Sequence, residues 1–180
     1  MATEPDSQVL LQPVDIANKT RRLALQILER HPHDELKFVG IHTRGVIVGE
    51  RVRELLREDL GEIPFGTLDI SLYRDDLDNM GAMPNLKGTD IPFSIDDSHI
   101  ILFDDVLFTG RTIKAAIDAL TDYGRPKSIE LAVLIDRGNR ELPIAPNYVG
   151  LEVSTTKQDY VRVRLRETDD EEGIYLTKKQ

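Results

Sequence analysis

One segment decides the fold class of this chain: Ile100-Ile101-Leu102-Phe103-Asp104-Asp105-Val106-Leu107-Phe108-Thr109-Gly110-Arg111-Thr112. Its apolar start predicts a buried strand from His99 to Phe103, and the helical spacing after the Phe108–Gly110 turn predicts a helix from Arg111 to Tyr123. Two adjacent carboxylates therefore stand at the end of a strand, and a loop of small residues opens a helix. A strand followed directly by a helix is the repeating unit of α/β proteins.

Strands and helices also alternate on both sides of this segment. Periodicity predicts two helices upstream, at Ile16–Arg30 and Val46–Arg57. The other expected strands span residues 38–43, 66–73, 129–135, 148–153, 161–165 and 174–176. This order indicates an α/β fold in which a mostly parallel, twisted sheet carries helices on both faces.

The segment from Arg74 to Ile95 has little periodicity and contains two glycines and two prolines. A loop this long is uncommon inside a compact domain unless it acts as a lid or a binding loop. We therefore expect a small flexible hood or lid loop over the sheet.

Length and composition bound the class of protein. The 180 residues suit one domain that spans the whole chain, with residues 1–10 expected to be flexible. Hydrophobic residues make up 40% of the chain, enough for a core. No apolar run reaches the roughly 18 residues of a membrane span and no secretory leader is visible, so we expect a cytoplasmic protein. The lack of cysteine excludes disulfides, thiolate nucleophiles and cysteine zinc sites.

The net charge of −9 is unevenly distributed. Residues 58–105 hold twelve acidic and two basic side chains, a local balance of −10, so the rest of the chain is close to neutral. Binding to a polyanion through overall charge is disfavoured, because that affinity rests on neutralised phosphates. A local basic face is still compatible with this distribution.

In open parallel sheets, ligands bind at the carboxyl ends of the strands. Three such positions carry polar residues: Thr43–Gly45, Asp104–Asp105 with the loop after them, and Asp136–Gly138. In the middle position, hydroxyls, a glycine and the free amides of a helix start suit a phosphate. The paired carboxylates supply only acceptors when ionised, and acceptors are what two ribose hydroxyls require. The combination indicates a phosphorylated sugar.

Two other interpretations of this segment stay open on the residues alone. The acidic pair is compatible with an ordinary strand-to-helix turn in which Thr109 caps the helix. It is also compatible with the magnesium-binding phosphoacceptor cluster of a flavodoxin-like receiver, although the Thr109–Thr112 loop does not belong to that pattern.

The thirteen residues resemble the phosphoribosyl-pyrophosphate signature of type I phosphoribosyltransferases: an apolar strand, two acidic residues, then Thr-Gly and a hydroxyl residue. Four other stretches resemble, in order, the family of bifunctional pyrimidine operon attenuators and uracil phosphoribosyltransferases. They are Thr43–Gly45, Leu72–Leu77, Lys87–Pro92 and Asp136–Ile144. The resemblance spans about Ile16 to Leu165.

The resemblance implies a site for phosphoribosyl pyrophosphate. Asp104 and Asp105 would hold the ribose hydroxyls, and Thr109–Thr112 the 5-phosphate. The Thr43–Gly45 turn would form the pyrophosphate loop, where an arginine fork and free amides suit phosphate oxygens on physical grounds as well. The implied catalytic residues are Asp104, Asp105, Arg44 and Arg74, the last of which would open the lid.

The resemblance also implies uracil as the acceptor base. Relatives that act on 6-oxopurines carry Asp where this chain has Phe108, and an apolar ring is a poor partner for a purine nitrogen. Mg²⁺ would be held mainly by phosphoribosyl pyrophosphate, because that ion prefers few protein ligands, so no dedicated metal residue is assigned. The implied substrate-binding residues are Thr43, Arg44, Gly45, Asp104, Asp105, Val106, Leu107, Phe108, Thr109, Gly110, Arg111, Thr112, Arg137 and Val161.

A regulatory role is the second implication, because members of the resembled family bind RNA. A uridine nucleotide would be the co-ligand for an mRNA leader stem-loop, and the basic residues expected to contact it are Lys19, Arg21, Arg22, Arg30 and Arg140. Regulatory members carry His at the positions of Leu25 and Asn139, which predicts weaker RNA contacts here. A regulator with vestigial catalysis and an inactive scaffold stay open as alternatives. We expect a homodimer or a higher homo-oligomer.

Overall fold

The computed structural model of the chain describes residues 7–74 and 87–178. Its helices are α1 (Pro13–Arg30), α2 (Arg44–Leu60) and α3 (Arg111–Thr121). Its strands are β1 (Ser7–Leu11), β2 (Leu36–Ile41), β3 (Phe65–Leu68), β4 (His99–Leu107), β5 (Ser128–Asp136), β6 (Tyr148–Glu152), β7 (Tyr160–Arg164) and β8 (Gly173–Thr177). Within these two ranges, no helix is both long and apolar enough to cross a lipid bilayer.

Five strands form a fully parallel sheet in the order β3-β2-β4-β5-β6. The central strand, β4, is paired on both sides, so that Phe103 lies opposite Gly40 of β2 and Ala132 of β5. An apolar run such as the one that opens β4 is typical of a parallel strand covered on both faces. The predicted α/β class with a mostly parallel sheet is confirmed.

Helices cover both faces of this sheet. On one face, α1 and α2 pack around Phe38 and Phe103, whose ring centres lie 4.8 Å apart. On the other face, α3 packs with Val39 and Leu102. Consecutive side chains such as Phe38 and Val39 point to opposite faces of the sheet, because side chains alternate along a strand. Burying a side chain of this size contributes about 1.5–3 kcal/mol, so the two apolar clusters hold the helices in place.

Three further strands form a separate antiparallel sheet in the order β1-β8-β7. Residues 7–10 belong to the segment expected to be flexible, but the structure places them in β1. The cause is a pairing between distant parts of the chain, because Leu11 lies opposite Ile174 and both are buried. The local sequence gives no sign of a partner strand near the other end of the chain.

The strand predicted at 66–73 ends early, at Leu68. The Ser71 amide donates a hydrogen bond to Oδ1 of Asp69 at 2.9 Å, which turns the chain away from β2. Residues 75–86, which make up much of the predicted lid, lie outside the part of the chain that the structure describes.

Candidate active site

The carboxyl ends of the parallel strands open into a cleft of about 1360 Å³, which β7 lines on another side. A second cavity of about 400 Å³ shares part of its lining. The residues common to both are Arg44, Arg74, Asp105, Val106 and Thr112. Phe108, Arg137 and Val161 line the cleft only, and Thr43 and Asp104 line the second cavity only. The structure thus brings together predicted residues that follow β2, β3, β4 and β5, as expected for a parallel sheet.

Asp104 and Asp105 stand side by side near the end of β4. Asp104 is buried and Asp105 half-buried, and their carboxyl groups accept hydrogen bonds from the Asp105 amide at 3.0 Å and the Val106 amide at 2.9 Å. Burial raises the pKa of Asp104 well above its usual range, and the charge of Asp105 adds to this effect. Burial also raises the pKa of Asp105, against the opposing effects of Asp104 and the Arg44 guanidinium. Ligand hydroxyls or a cation would stabilise both charges.

The loop after the acidic pair leaves backbone amides available at the start of α3. Gly110 has a φ of +92°, a left-handed conformation that glycine adopts without strain. The Thr109 carbonyl accepts hydrogen bonds from the amides of Glu141 and Leu142 at 2.9 and 3.0 Å, which fixes the loop. The N-cap residue, Gly110, has no side chain to cap the helix, the Thr109 hydroxyl accepts a hydrogen bond from the Arg111 amide at 3.3 Å, and the first turn holds no acidic residue. The arrangement suits an anion such as a phosphate.

The Thr43–Gly45 segment forms the start of α2, with Thr43 at the N-cap. A Cβ atom on Gly45 would lie 2.4 Å from the Phe103 carbonyl oxygen, so only glycine lets the segment pack against the end of β4. The Arg44 guanidinium pairs with the Asp169 carboxylate, with Nη2 and Oδ1 2.9 Å apart. Arg44 therefore connects the parallel sheet to the segment between β7 and β8.

Phe108 and Arg137 form one wall of the cleft. The guanidinium carbon of Arg137 lies 3.9 Å from the centre of the Phe108 ring, within the range of a cation–π contact. Arg137 is buried and donates to the Thr156 carbonyl at 2.7 Å, and burial lowers the pKa of its guanidinium. Val161 of β7 also lines this cleft. The wall thus combines an aromatic ring with a guanidinium group.

Two predicted substrate-binding residues turn their side chains elsewhere. Leu107 is 1% exposed and belongs to the apolar cluster beneath α3. The Arg111 guanidinium forms an ion pair with Glu141, with Nε and Oε2 2.9 Å apart. Leu107 and Arg111 therefore contribute mainly backbone groups, and not side chains, to this part of the site.

The predicted RNA-binding residues come from two places in the fold. Lys19, Arg21, Arg22 and Arg30 lie on α1, and Arg140 lies after β5. The Arg140 guanidinium donates to the Phe108 carbonyl at 3.0 Å and pairs with Asp136 at 2.5 Å. Its position braces the loop that carries Phe108, which is a role that the sequence does not predict.

Several polar residues of the site were not predicted. His42, Asp69 and Lys87 line the second cavity. The strand-end rule identifies Asp69 once β3 is seen to end one residue before it. Lys87 belongs to a stretch quoted for the family resemblance, but that resemblance assigned it no role. Nothing in the local sequence distinguishes Asp169 from its acidic neighbours.

Residues 10–168 match the family model described as the phosphoribosyl transferase domain. A protein of Deinococcus radiodurans named bifunctional protein PyrR is 47% identical over 176 residues, which cover 97% of this chain and 96% of the relative. Its namesake in Latilactobacillus sakei is 50% identical over 161 residues, covering 87% of this chain and 90% of the relative. The chain belongs to the PyrR family of phosphoribosyltransferases.

Solved phosphoribosyltransferases share the architecture of this PyrR-family chain. A hypoxanthine phosphoribosyltransferase from Staphylococcus aureus superimposes with a TM-score of 0.70 at 24% identity, covering 96% of this chain and 92% of that one. At this identity the likeness concerns the fold alone. The family resemblance drawn from the thirteen-residue segment and the four other stretches is confirmed.

Proposed function

We propose that this phosphoribosyltransferase converts uracil and phosphoribosyl pyrophosphate into uridine monophosphate and pyrophosphate, and that uridine nucleotides control its binding to an mRNA leader stem-loop. The enzymatic part rests on one observation: Arg44, both residues of the acidic pair and Thr112, the last residue of the proposed phosphate loop, line the second cavity together. The regulatory part rests on the name of the relatives, which calls them bifunctional, and on exposed basic side chains of α1.

The donor site works by positioning and charge. Ionised Asp104 and Asp105 accept hydrogen bonds from the two ribose hydroxyls, and the Thr109–Thr112 loop holds the 5-phosphate. Arg44 and Arg74 neutralise the charge that develops on the leaving pyrophosphate. Exclusion of water protects an oxocarbenium-like centre from hydrolysis. No nucleophile from the protein is needed.

The residues present fit a Mg²⁺ ion that arrives with the donor. Over the described ranges, no three His, Asp or Glu side chains converge on a metal position. The carboxyl oxygens of Asp104 and Asp105, whose pKa values are raised by burial, favour a hard cation beside them. Asp104 and Asp105 are the residues that would hold the ion. The bound ion neutralises pyrophosphate charge.

The base side of the cleft favours a pyrimidine. Phe108 offers no acceptor at the position where an acidic residue would serve a purine nitrogen, and the Arg137 stack covers its ring. The guanidinium of Arg137 and the backbone around Val161 instead supply donors and acceptors at the edge of a small base.

Initial rates with uracil, orotate, hypoxanthine and guanine at equal phosphoribosyl pyrophosphate test this choice. We expect uridine monophosphate from uracil and no purine nucleotide. A variant with both Asp104→Asn and Asp105→Asn is the negative control, because it should lose turnover with every base. Purine nucleotide formation at an efficiency comparable to that with uracil would refute the base assignment.

The regulatory part is tested by filter binding with a pyrimidine-operon leader RNA, with and without uridine monophosphate, at two salt concentrations. Arg21 and Arg22 are exposed on α1, so the double variant Arg21→Ala, Arg22→Ala should weaken binding and reduce its salt dependence. Arg57→Ala on α2 is the control. Tight binding together with negligible turnover would favour the alternative, a regulator with vestigial catalysis. If the double variant binds the RNA as tightly as the Arg57→Ala control, α1 does not contact the RNA.

A further inference from the structure

The second cavity, next to the pyrophosphate loop, contains two charged residues that the proposed function does not use. Asp69 directly follows β3, and Lys87 is the first residue after residues 75–86 in the chain. Both line this cavity together with Arg44, Arg74 and the acidic pair. Their hydrogen bonds indicate what each one does.

The Asp69 carboxylate joins two segments of backbone. Its Oδ1 accepts a hydrogen bond from the Ser71 amide at 2.9 Å, and its Oδ2 accepts from the amides of Lys87 at 2.5 Å and Gly88 at 3.2 Å. The Asp69 amide in turn donates to Oγ1 of Thr89 at 3.0 Å. Burial opposes ionisation of Asp69, but these hydrogen bonds outweigh it and lower the pKa. An ionised Asp69 therefore fixes the backbone of residue 87 beside the end of β3.

The side chain of Lys87 extends from this fixed point to the pyrophosphate loop. Its ammonium group donates a hydrogen bond to Oγ1 of Thr43, the N-cap residue of α2, directly before Arg44. The charge also reaches the neighbouring His42: burial lowers the pKa of His42, the Asp69 carboxylate opposes this, and the Lys87 cation lowers the pKa again. The ammonium thus stands over a helix start that already favours anions.

We propose that Lys87 binds the pyrophosphate group of the donor and product, and that Asp69 is the positioning residue that holds Lys87 over the Thr43–Arg44 loop. The inference rests on the proposed function, since it assigns the second cavity to pyrophosphate. A lysine ammonium is a compact point charge that exchanges a hydroxyl partner for a phosphate oxygen without loss of a salt bridge. Arg44, in contrast, must exchange its pairing with Asp169.

The test measures binding of magnesium pyrophosphate and of uridine monophosphate by calorimetry, because under this proposal only pyrophosphate contacts Lys87. Lys87→Met should weaken pyrophosphate binding about 10- to 100-fold, the range expected for a charge-assisted hydrogen bond, and leave uridine monophosphate binding within about twofold. Lys87→Arg should restore a large part of the affinity. Lys114→Met is the control, because Lys114 pairs with Asp118 on the surface of α3.

A double-mutant cycle tests the role of Asp69. Asp69→Asn should weaken pyrophosphate binding in the wild-type background and have little further effect in the Lys87→Met background. Equal effects in both backgrounds would show that Asp69 does not act through Lys87. Retained uridine monophosphate binding reports that each variant is folded.

The two proposals fail in different ways. Unchanged pyrophosphate binding in Lys87→Met, with both ligands bound by the wild type, overturns the role of Lys87 and leaves the enzyme assignment standing. A wild type that binds neither ligand overturns both.

Discussion

The carboxyl groups of Asp104 and Asp105 occupy an unfavourable environment when no ligand is bound. Burial raises both pKa values, and each unit of elevation corresponds to about 1.4 kcal/mol. Because the folded chain binds these protons more tightly than the unfolded chain, the pair's contribution to the free energy of unfolding is highest below the unfolded pKa. It falls as pH rises through the folded pKa values. Ionisation of the pair therefore costs stability at neutral pH.

Replacing both residues, Asp104→Asn and Asp105→Asn, should raise the free energy of unfolding at pH 7 while removing most of the turnover. The amide oxygens still accept from the Asp105 and Val106 backbone groups, but they cannot provide charged acceptors. Urea denaturation and initial rates are the two measurements. Asp118→Asn, on the surface of α3, is the control. Turnover at the wild-type level would show that the pair does not hold the ribose.

At the scale of elements, arginines of α2 bind the acidic segment between β7 and β8. Arg44 pairs with Asp169, and Arg51 pairs with Glu167 at 2.8 Å and with Glu172 at 2.6 Å. The side chain of Glu172 is only 9% exposed, and its Oε1 has no hydrogen-bond donor of good geometry among the described residues. This contact joins the small antiparallel sheet to α2, the helix that begins at the Thr43–Gly45 segment.

Arg51→Ala should lower the free energy of unfolding by about 2 kcal/mol, because it leaves a buried carboxylate without its main cation. The matched substitution on the same helix, Arg57→Ala, removes exposed pairs with Glu54 and Glu62 and should cost less than about 0.5 kcal/mol. Urea denaturation of both variants measures the difference. Equal costs would mean that the α2 contact with the antiparallel sheet contributes little to stability.

At the scale of the whole molecule, a cluster around His31 joins the end of α1 to β5 and β6. Nδ1 of His31 lies 2.6 Å from Asp34 and Nε2 lies 2.9 Å from Glu130, which also accepts from the Tyr148 hydroxyl at 2.5 Å. Burial opposes protonation of His31, but the two carboxylates outweigh it and raise its pKa above the ordinary 6.5. The protonated cluster stabilises the fold fully below that ordinary value. This contribution is lost as pH rises through the folded pKa.

Global unfolding should therefore become easier as pH rises above about 6.5, and His31→Gln should flatten this part of the profile. Urea denaturation at pH steps from about 6 to about 8.5 gives the two curves. His33→Gln removes an exposed imidazole from the same turn and should keep the wild-type slope. Identical slopes in the wild type and His31→Gln would show that the cluster does not titrate in this range.

The Thr109–Thr112 loop and the parallel sheet around it can largely be predicted from the sequence, because the residue patterns that indicate them are local. An apolar run before Asp104, hydroxyls around Gly110 and alternating strand and helix periods lie within short stretches of chain. The close approach of Gly45 to the Phe103 carbonyl oxygen was not predicted and is seen only in the structure. The predicted end of β3 was wrong because Asp69 lies within an alternating pattern that is typical of a strand. Only the structure shows that its hydrogen bond with the Ser71 amide ends the strand there.

By itself, the sequence determined the α/β class, the parallel sheet, and the acidic pair followed by a loop that opens a helix, because each depends on the order of neighbouring residues. Only the tertiary structure decided that residues 7–11 form a strand with β8, that Arg44 pairs with Asp169 and that Asp69 holds Lys87 over Thr43. In these cases the partners are far apart in the chain. A charged residue in a polar stretch looks the same in sequence whether it is solvated or paired, and only the packing of the sheets and helices brings its partner within hydrogen-bonding distance.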